Sequence, residues 1–92
     1  MNALLVNYRL WKKGQDYSAI HKALESFPHT KLGTSSYVIL TEYAPEVLTL
    51  VLRGTGTVDA NDEVYVFQLA GPWDGHGPNN ALNWLRSNVR SE

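Results

Sequence analysis

Asn7 and Arg9 lie side by side near the end of a segment, residues 3–10, in which the side chains alternate between two faces. Lys12 and Lys13 follow closely, and residues 1–31 carry a net charge of +3 while the rest of the chain carries −4. Such a split is compatible with a weakly basic face for phosphate groups, for instance those of a nucleic acid, but the charge alone favours a solvated surface. The net charge of the whole chain is only −1.

Two groups of residues have side chains of the kinds that ligate metals. His21 and Glu25 are four residues apart and therefore share a helix face, and His29 follows soon after. Three acidic side chains lie within residues 59–63. Neither group has the full spacing of a zinc or calcium site, which favours a surface hydrogen bond for the first and a solvated turn for the second. We therefore predict neither a metal site nor a cofactor.

Other motifs of catalytic or phosphate-binding chemistry are incomplete. The Gly-Thr-Gly-Thr run at residues 54–57 lacks the lysine and the strand-to-helix position of a phosphate loop, and it is more typical of a helix end. Ser35 and Ser36 have no neighbouring base in the sequence, so they are candidates for binding and not for acyl transfer. His76, between two glycines, is typical of an exposed loop.

Trp11, Trp73 and Trp84 are candidates for stacking on nucleic-acid bases. In a small domain, packing in the core or at an interface is the favoured role of such large rings.

The elements that position these residues follow from side-chain periodicity and from residues that begin or end helices. Strands are predicted at residues 3–10, 29–33, 35–42 and 64–69, where alternation or sheet-forming residues dominate. A first helix begins at the capping residue Asp16 and stops before Pro28. A second begins at Pro45 and ends just before Gly54, and a third begins at Asn79 or Asn80, with an apolar stripe of Leu82, Leu85 and Val89.

The second helix is the ambiguous element, because residues 47–52 are apolar and rich in β-branched side chains. A helical crossover is the economical connection between two strands of one sheet, and this favours a helix. The resulting order predicts an α+β fold, a ferredoxin-like βαββαβ sandwich with an antiparallel sheet and an extra C-terminal helix.

Length and composition set the remaining expectations. Residues 1–92 form one domain, and a chain this short often gains stability as a homodimer. The absence of cysteine excludes disulfides and thiolate metal sites. No leader-like or long apolar segment is present, so we expect a cytoplasmic protein that does not enter the membrane.

Four segments carry a resemblance to a known family. They are Leu-Val-Asn-Tyr-Arg-Leu at residues 5–10, Lys-Gly-Gln-Asp-Tyr at 13–17, Ser-Ser-Tyr-Val-Ile at 35–39, and Asp-Ala-Asn-Asp-Glu-Val-Tyr-Val at 59–66. Together with Trp84-Leu85 in the last helix, they resemble small bacterial proteins of the SinR family. That group is similar to the smaller, non-integrase endonuclease of CRISPR adaptation. The resemblance covers nearly the whole chain.

The resemblance implies a ferredoxin-like domain that dimerises and, in the nuclease relatives, a divalent metal held by an aspartate at the end of the first strand. Arg9 stands at that position here. A permanent cation cannot ligate magnesium and repels it, which argues against metal-dependent cleavage. If the dimer axis brings two Arg9 side chains together, an anion or a carboxylate such as that of Glu42 is needed between them. The alternative is that Arg9 pairs with an acidic neighbour.

The sequence therefore predicts a dimeric, nuclease-like protein that acts by binding nucleic acid or a protein partner. The alternatives are a magnesium-dependent endonuclease and a purely structural or inhibitory interaction module.

Overall fold

The computed structural model describes residues 1–11 and 17–89. Four strands and three helices follow one another in the order β1 (Asn2–Arg9), α1 (Ser18–Glu25), β2 (His29–Gly33), β3 (Ser36–Thr41), α2 (Pro45–Gly54), β4 (Glu63–Leu69) and α3 (Asn79–Asn88).

The four strands form one antiparallel sheet in the order β2-β3-β1-β4. Each helical crossover therefore skips one strand: α1 joins β1 to β2 across β3, and α2 joins β3 to β4 across β1. This split βαβ arrangement, repeated twice, confirms the predicted α+β fold of the ferredoxin-like type.

The main core lies between one face of the sheet and the helices α1 and α2. Strand β1 contributes every second residue to it, and each helix contributes residues one turn apart, as amphipathic strands and helices must. Its buried members are Leu4, Val6, Tyr8, Leu10, Ile20, Leu24, Tyr37, Ile39, Leu48, Leu52 and Val58. The apolar side predicted for β1 is thus the core side.

A second, smaller core lies on the other face of the sheet, under the end of α3. Ala3, Val38 and Val89 are buried there, and Trp73, Trp84 and neighbouring leucines pack against them. Helix α3 contacts β2, and the second core reaches Leu69 at the end of β4. Tyr65 and Phe67 of the same strand are exposed beyond it. This face is therefore half covered and half open.

Several predicted boundaries shift. Strand β1 begins one residue earlier and ends at Arg9, and β3 is shorter by one residue at each end. The predicted asparagine cap of α3 is wrong: Pro78 occupies the cap position without a side-chain hydrogen bond, and Asn79 is already helical. Val89 lies just beyond the helix end but is buried. The cap predicted at Asp16 lies outside the described residues.

No helix in residues 1–11 and 17–89 is long and apolar enough to cross a membrane.

Candidate functional site

Strand pairing brings polar and aromatic residues together on the uncovered part of the second face. In the register of β1 with β4, Asn7 lies opposite Tyr65 and Arg9 lies opposite Glu63. On the other side of β1, Asn7 pairs with Ser36 of β3. These residues, with Trp11 and Phe67, form what we call the open face: Asn7, Arg9, Trp11, Ser36, Glu63, Tyr65 and Phe67.

The aromatic members of the open face are unusually accessible. Trp11, Tyr65 and Phe67 have 54%, 53% and 55% of their surface exposed. Tyr65 and Phe67 are two residues apart on β4, so their rings project from the same face, about 7 Å apart along the strand. Large apolar rings exposed together on one surface commonly mark an interaction site.

Arg9 supplies the positive charge of this surface. Its guanidinium carbon lies 5.4 Å from the centre of the Trp11 ring, within the range of a cation–π contact. The side chain is exposed, so the charge stays available to a ligand. The stacked indole limits the positions that the guanidinium adopts.

Glu63 organises the rings around it. One carboxylate oxygen accepts a 2.7 Å hydrogen bond from the indole nitrogen of Trp11, and the other accepts a 2.9 Å bond from the Tyr65 hydroxyl. These two bonds, together with the charge of Arg9, lower the pKa of Glu63. Its carboxylate is therefore ionised at neutral pH and holds two aromatic side chains of the open face.

The predicted acidic turn supports the same region. The backbone nitrogen of Trp11 donates to the Asp62 carboxylate at 2.8 Å, and the other oxygen of that carboxylate accepts from the backbone of Asp59 at 3.1 Å. Asp59 in turn accepts a bond from the backbone of Asn61. The carboxylates of this turn thus bind backbone groups and fix the chain just after β1.

Asn7 and the adjacent serines lie at the β1–β3 boundary. The Asn7 amide donates a 2.9 Å hydrogen bond to the Ser36 hydroxyl, and the backbone carbonyl of Ser35 accepts from the backbone nitrogen of Tyr8. Four of the predicted binding residues, Asn7, Arg9, Ser35 and Ser36, therefore lie on or beside the open face. Lys12 and Lys13 lie outside the described residues.

His21 and Glu25, the predicted ligand-like pair, instead tie α1 to the hairpin of β2 and β3. The His21 ring nitrogen lies 3.0 Å from the Thr34 carbonyl, which also accepts a 2.6 Å bond from the buried Tyr8 hydroxyl. Glu25 accepts a hydrogen bond from the Tyr37 hydroxyl, and this bond is the main cause of its lowered pKa. Across residues 1–11 and 17–89, no three histidine or acidic side chains are grouped as a metal site requires.

The remaining candidates divide between packing and loops. Trp73 and Trp84 pack on the second core, as predicted, whereas Trp11 lies outside both cores. The Gly-Thr-Gly-Thr run ends α2, with Gly56 at a φ of 77°, a left-handed value that glycine adopts without strain. His76 is exposed in the loop before α3.

Glu63, Tyr65 and Phe67 were not among the predicted binding residues. The sequence does place Tyr65 and Phe67 on one side of a strand, but alternation alone does not reveal whether that side is covered. Their proximity to Arg9 depends on the pairing of β1 with β4, which periodicity does not encode.

No protein-family model matches the sequence, and no curated protein matches it significantly. The resemblance to the SinR family therefore stays a prediction.

Proposed function

We propose that this protein binds single-stranded nucleic acid on its open face. The observation that carries the proposal is the joint exposure of Trp11, Tyr65 and Phe67 beside the guanidinium of Arg9. Proteins that bind single strands combine aromatic rings, on which bases stack, with cations that track the phosphates. Four-stranded sheets with exposed aromatic residues are one known platform for such stacking.

The roles of the residues follow from their chemistry. Tyr65 and Phe67 stack on neighbouring bases, and Arg9 contacts a phosphate. Asn7, next to Tyr65 in the register, supplies hydrogen-bonding groups for a base or sugar. Glu63 does not contact phosphate, since both are anions, and it serves to hold Trp11 and Tyr65 in place. Lys12 and Lys13 follow Trp11 in the sequence and add positive charge.

The proposal is for binding without cleavage. Arg9 stands where the resembling nucleases have a metal-binding aspartate, and a guanidinium at that position opposes a divalent cation. We place the protein in the cytoplasm, and we propose that it is a homodimer, as its small size favours.

Fluorescence anisotropy with labelled single-stranded and duplex RNA and DNA tests this function. We expect single strands to bind more tightly than duplexes, with an affinity that falls as salt rises. Phe67→Ala or Tyr65→Ala should each weaken binding about 5- to 150-fold, the effect of losing one stacked base at about 1–3 kcal/mol. Arg9→Ala should also flatten the salt dependence by roughly one phosphate contact.

The chain offers matched controls on the opposite side of the molecule. Leu50 on α2 and Lys22 on α1 are exposed on the helices that cover the other face of the sheet, so Leu50→Ala and Lys22→Ala remove an apolar group and a charge away from the open face. Both should leave affinity unchanged. Equal losses in these controls, or no binding to any nucleic acid, would contradict the proposal and favour a protein partner. Cleavage with magnesium or manganese that stops on chelation would instead identify an endonuclease.

A further inference from the structure

Strand β4 forms one edge of the sheet, and its outer side has the properties of a pairing surface. It pairs with β1 on its inner side over all seven of its residues. Among the described residues, no strand pairs with its outer side. Such an edge presents backbone donors and acceptors that are ready to bind another strand.

The usual features that block edge pairing are missing from β4. The strand Glu63–Leu69 contains no proline and no lysine, and its register with β1 is free of bulges. The opposite edge, β2, differs: its register shifts between Lys31 and Gly33, it carries an exposed lysine, and α3 packs beside it. The two edges of the sheet are therefore not equivalent, and β4 is the one suited to pairing.

The sequence of β4 is also complementary to itself. When two copies pair antiparallel so that all seven residues take part, Val66 lies on the two-fold axis. Tyr65 of each copy then lies opposite Phe67 of the other copy, with one such pair on each side of the axis. These are aromatic cross-strand pairs of the kind that stabilise antiparallel strands. They also cover parts of two rings that are more than half exposed in the single chain.

The charge on β4 fits this arrangement. Glu63 is the only charged residue of the strand and lies at one end, opposite Leu69 of the second copy. The two Glu63 side chains are thus separated by six residues along the strands, about 20 Å, and no like charges face each other.

We propose that two copies of this protein pair through β4 into a continuous eight-stranded sheet. The contact is isologous, with the same strand on both sides of a two-fold axis, so it closes as a dimer. It joins the two open faces into one surface with the four rings of Tyr65 and Phe67 at its centre. Each copy thereby adds its Tyr65 and Phe67 rings to those of the other copy, and the four rings form one aromatic surface.

This pairing keeps the two Arg9 side chains apart. Arg9 lies opposite Glu63, at the end of the strand away from the axis. The two guanidinium groups therefore need no shared anion between them, in contrast to a dimer built around Arg9. The inference does not depend on nucleic-acid binding, because strand pairing can be measured without any ligand.

Single-cysteine variants test the register, because the chain contains no cysteine of its own. Val66→Cys places two thiols opposite each other on the axis, whereas Gln68→Cys, on the same strand and the same side, places them four residues apart, about 13 Å. A disulfide requires Cα atoms within about 7 Å, so Val66→Cys should cross-link about tenfold faster or more under mild oxidation. Equal rates for the two variants would overturn the proposed register.

Light scattering tests the dimer in the unmodified protein. We expect a dimer for the natural sequence and a monomer for Phe67→Asp, which places a charge opposite Tyr65 of the second copy. Circular dichroism should be the same for both, since Phe67 is largely exposed. A natural protein that is monomeric at the highest soluble concentration, or a Phe67→Asp variant that remains dimeric, would refute the pairing. Nucleic-acid binding by a monomer would refute the pairing and the proposed homodimer, and it would leave the proposed nucleic-acid binding standing.

Discussion

The indole nitrogen of Trp11 donates a 2.7 Å hydrogen bond to the carboxylate of Glu63, which joins the chain just after β1 to the first residue of β4. The same carboxylate accepts a bond from Tyr65, so one ionised group positions two of the three exposed rings. Trp11 and Tyr65 are therefore held by Glu63 before any ligand arrives, which reduces the ordering cost of binding for these two rings.

Acid should release Trp11 from Glu63. The pKa of Glu63 is below its usual value of 4.5, so the hydrogen bond persists at neutral pH and weakens only as the pH falls through that lowered pKa. We expect the indole N–H resonance of Trp11 to shift in this range in ¹⁵N-edited spectra, while those of Trp73 and Trp84 report whether the fold is intact. In Glu63→Gln the shift should disappear. A midpoint at or above pH 4.5 would contradict the assignment.

Alkali should destabilise the protein through two buried tyrosines. Burial is the main cause of the raised pKa of Tyr8 and Tyr37, and the bond to Glu25 adds to it for Tyr37. Above the ordinary value of 10.0, the unfolded chain loses these phenol protons while the folded chain keeps them. Ionisation of these tyrosines should therefore leave the free energy of unfolding unchanged below about pH 10 and lower it above that pH.

Urea denaturation at about pH 9 and about pH 11 measures this effect. Tyr37→Phe should reduce the difference between the two conditions, because it removes one of the groups responsible. The exposed Tyr43 provides the matched control, and Tyr43→Phe should leave the difference as it is. A similar reduction in both variants would show that the buried environment is not the cause.

The hydroxyl of Tyr8 should contribute measurably to stability. It donates a 2.6 Å bond to the Thr34 carbonyl from a side chain that is almost fully buried. Tyr8→Phe should lower the free energy of unfolding by about 1 kcal/mol. The same change at Tyr65, whose hydroxyl bonds Glu63 at the surface, should cost less than about 0.5 kcal/mol, since surface substitutions rarely cost more.

Replacing each of two leucines on α2 by alanine should change the free energy of unfolding by very different amounts. Leu48 is completely buried in the main core, whereas Leu50 is 65% exposed. Leu48→Ala should lower the free energy of unfolding by about 2–5 kcal/mol, because it leaves a cavity. Leu50→Ala should change it by less than about 0.5 kcal/mol. Chemical denaturation of both variants checks the helix assignment, since a strand at these residues would place residues 48 and 50 on the same face.

The sequence predicts most of the fold because the signals are local. Alternation in β1 identifies Leu4, Val6 and Tyr8 as core residues, and all three are buried. Helix α2, ambiguous by propensity, forms as the crossover argument predicts. The cap of α3 is misplaced because asparagine is a common capping residue, but Pro78 already has the extended conformation that begins the helix.

The candidate site is harder to predict because it depends on pairing between distant strands. Asn7 and Arg9 are recognisable as polar residues at the end of a strand, but their neighbours Tyr65 and Glu63 come from β4. The position of α3 is equally non-local. Val38 on the second face is buried in the core that includes residues of α3. Tyr65 and Phe67 on the same face lie outside that core and are exposed.

The central place of β1 in the sheet has a consequence for synthesis of the chain. Its two neighbours, β3 and β4, both come later in the sequence, and Leu69 at the end of β4 pairs with Ala3. A nascent chain on the ribosome therefore carries an apolar β1 that stays half paired until β4 emerges. Contacts this far apart along the chain are typical of slow folding and of exposure to aggregation in the interval.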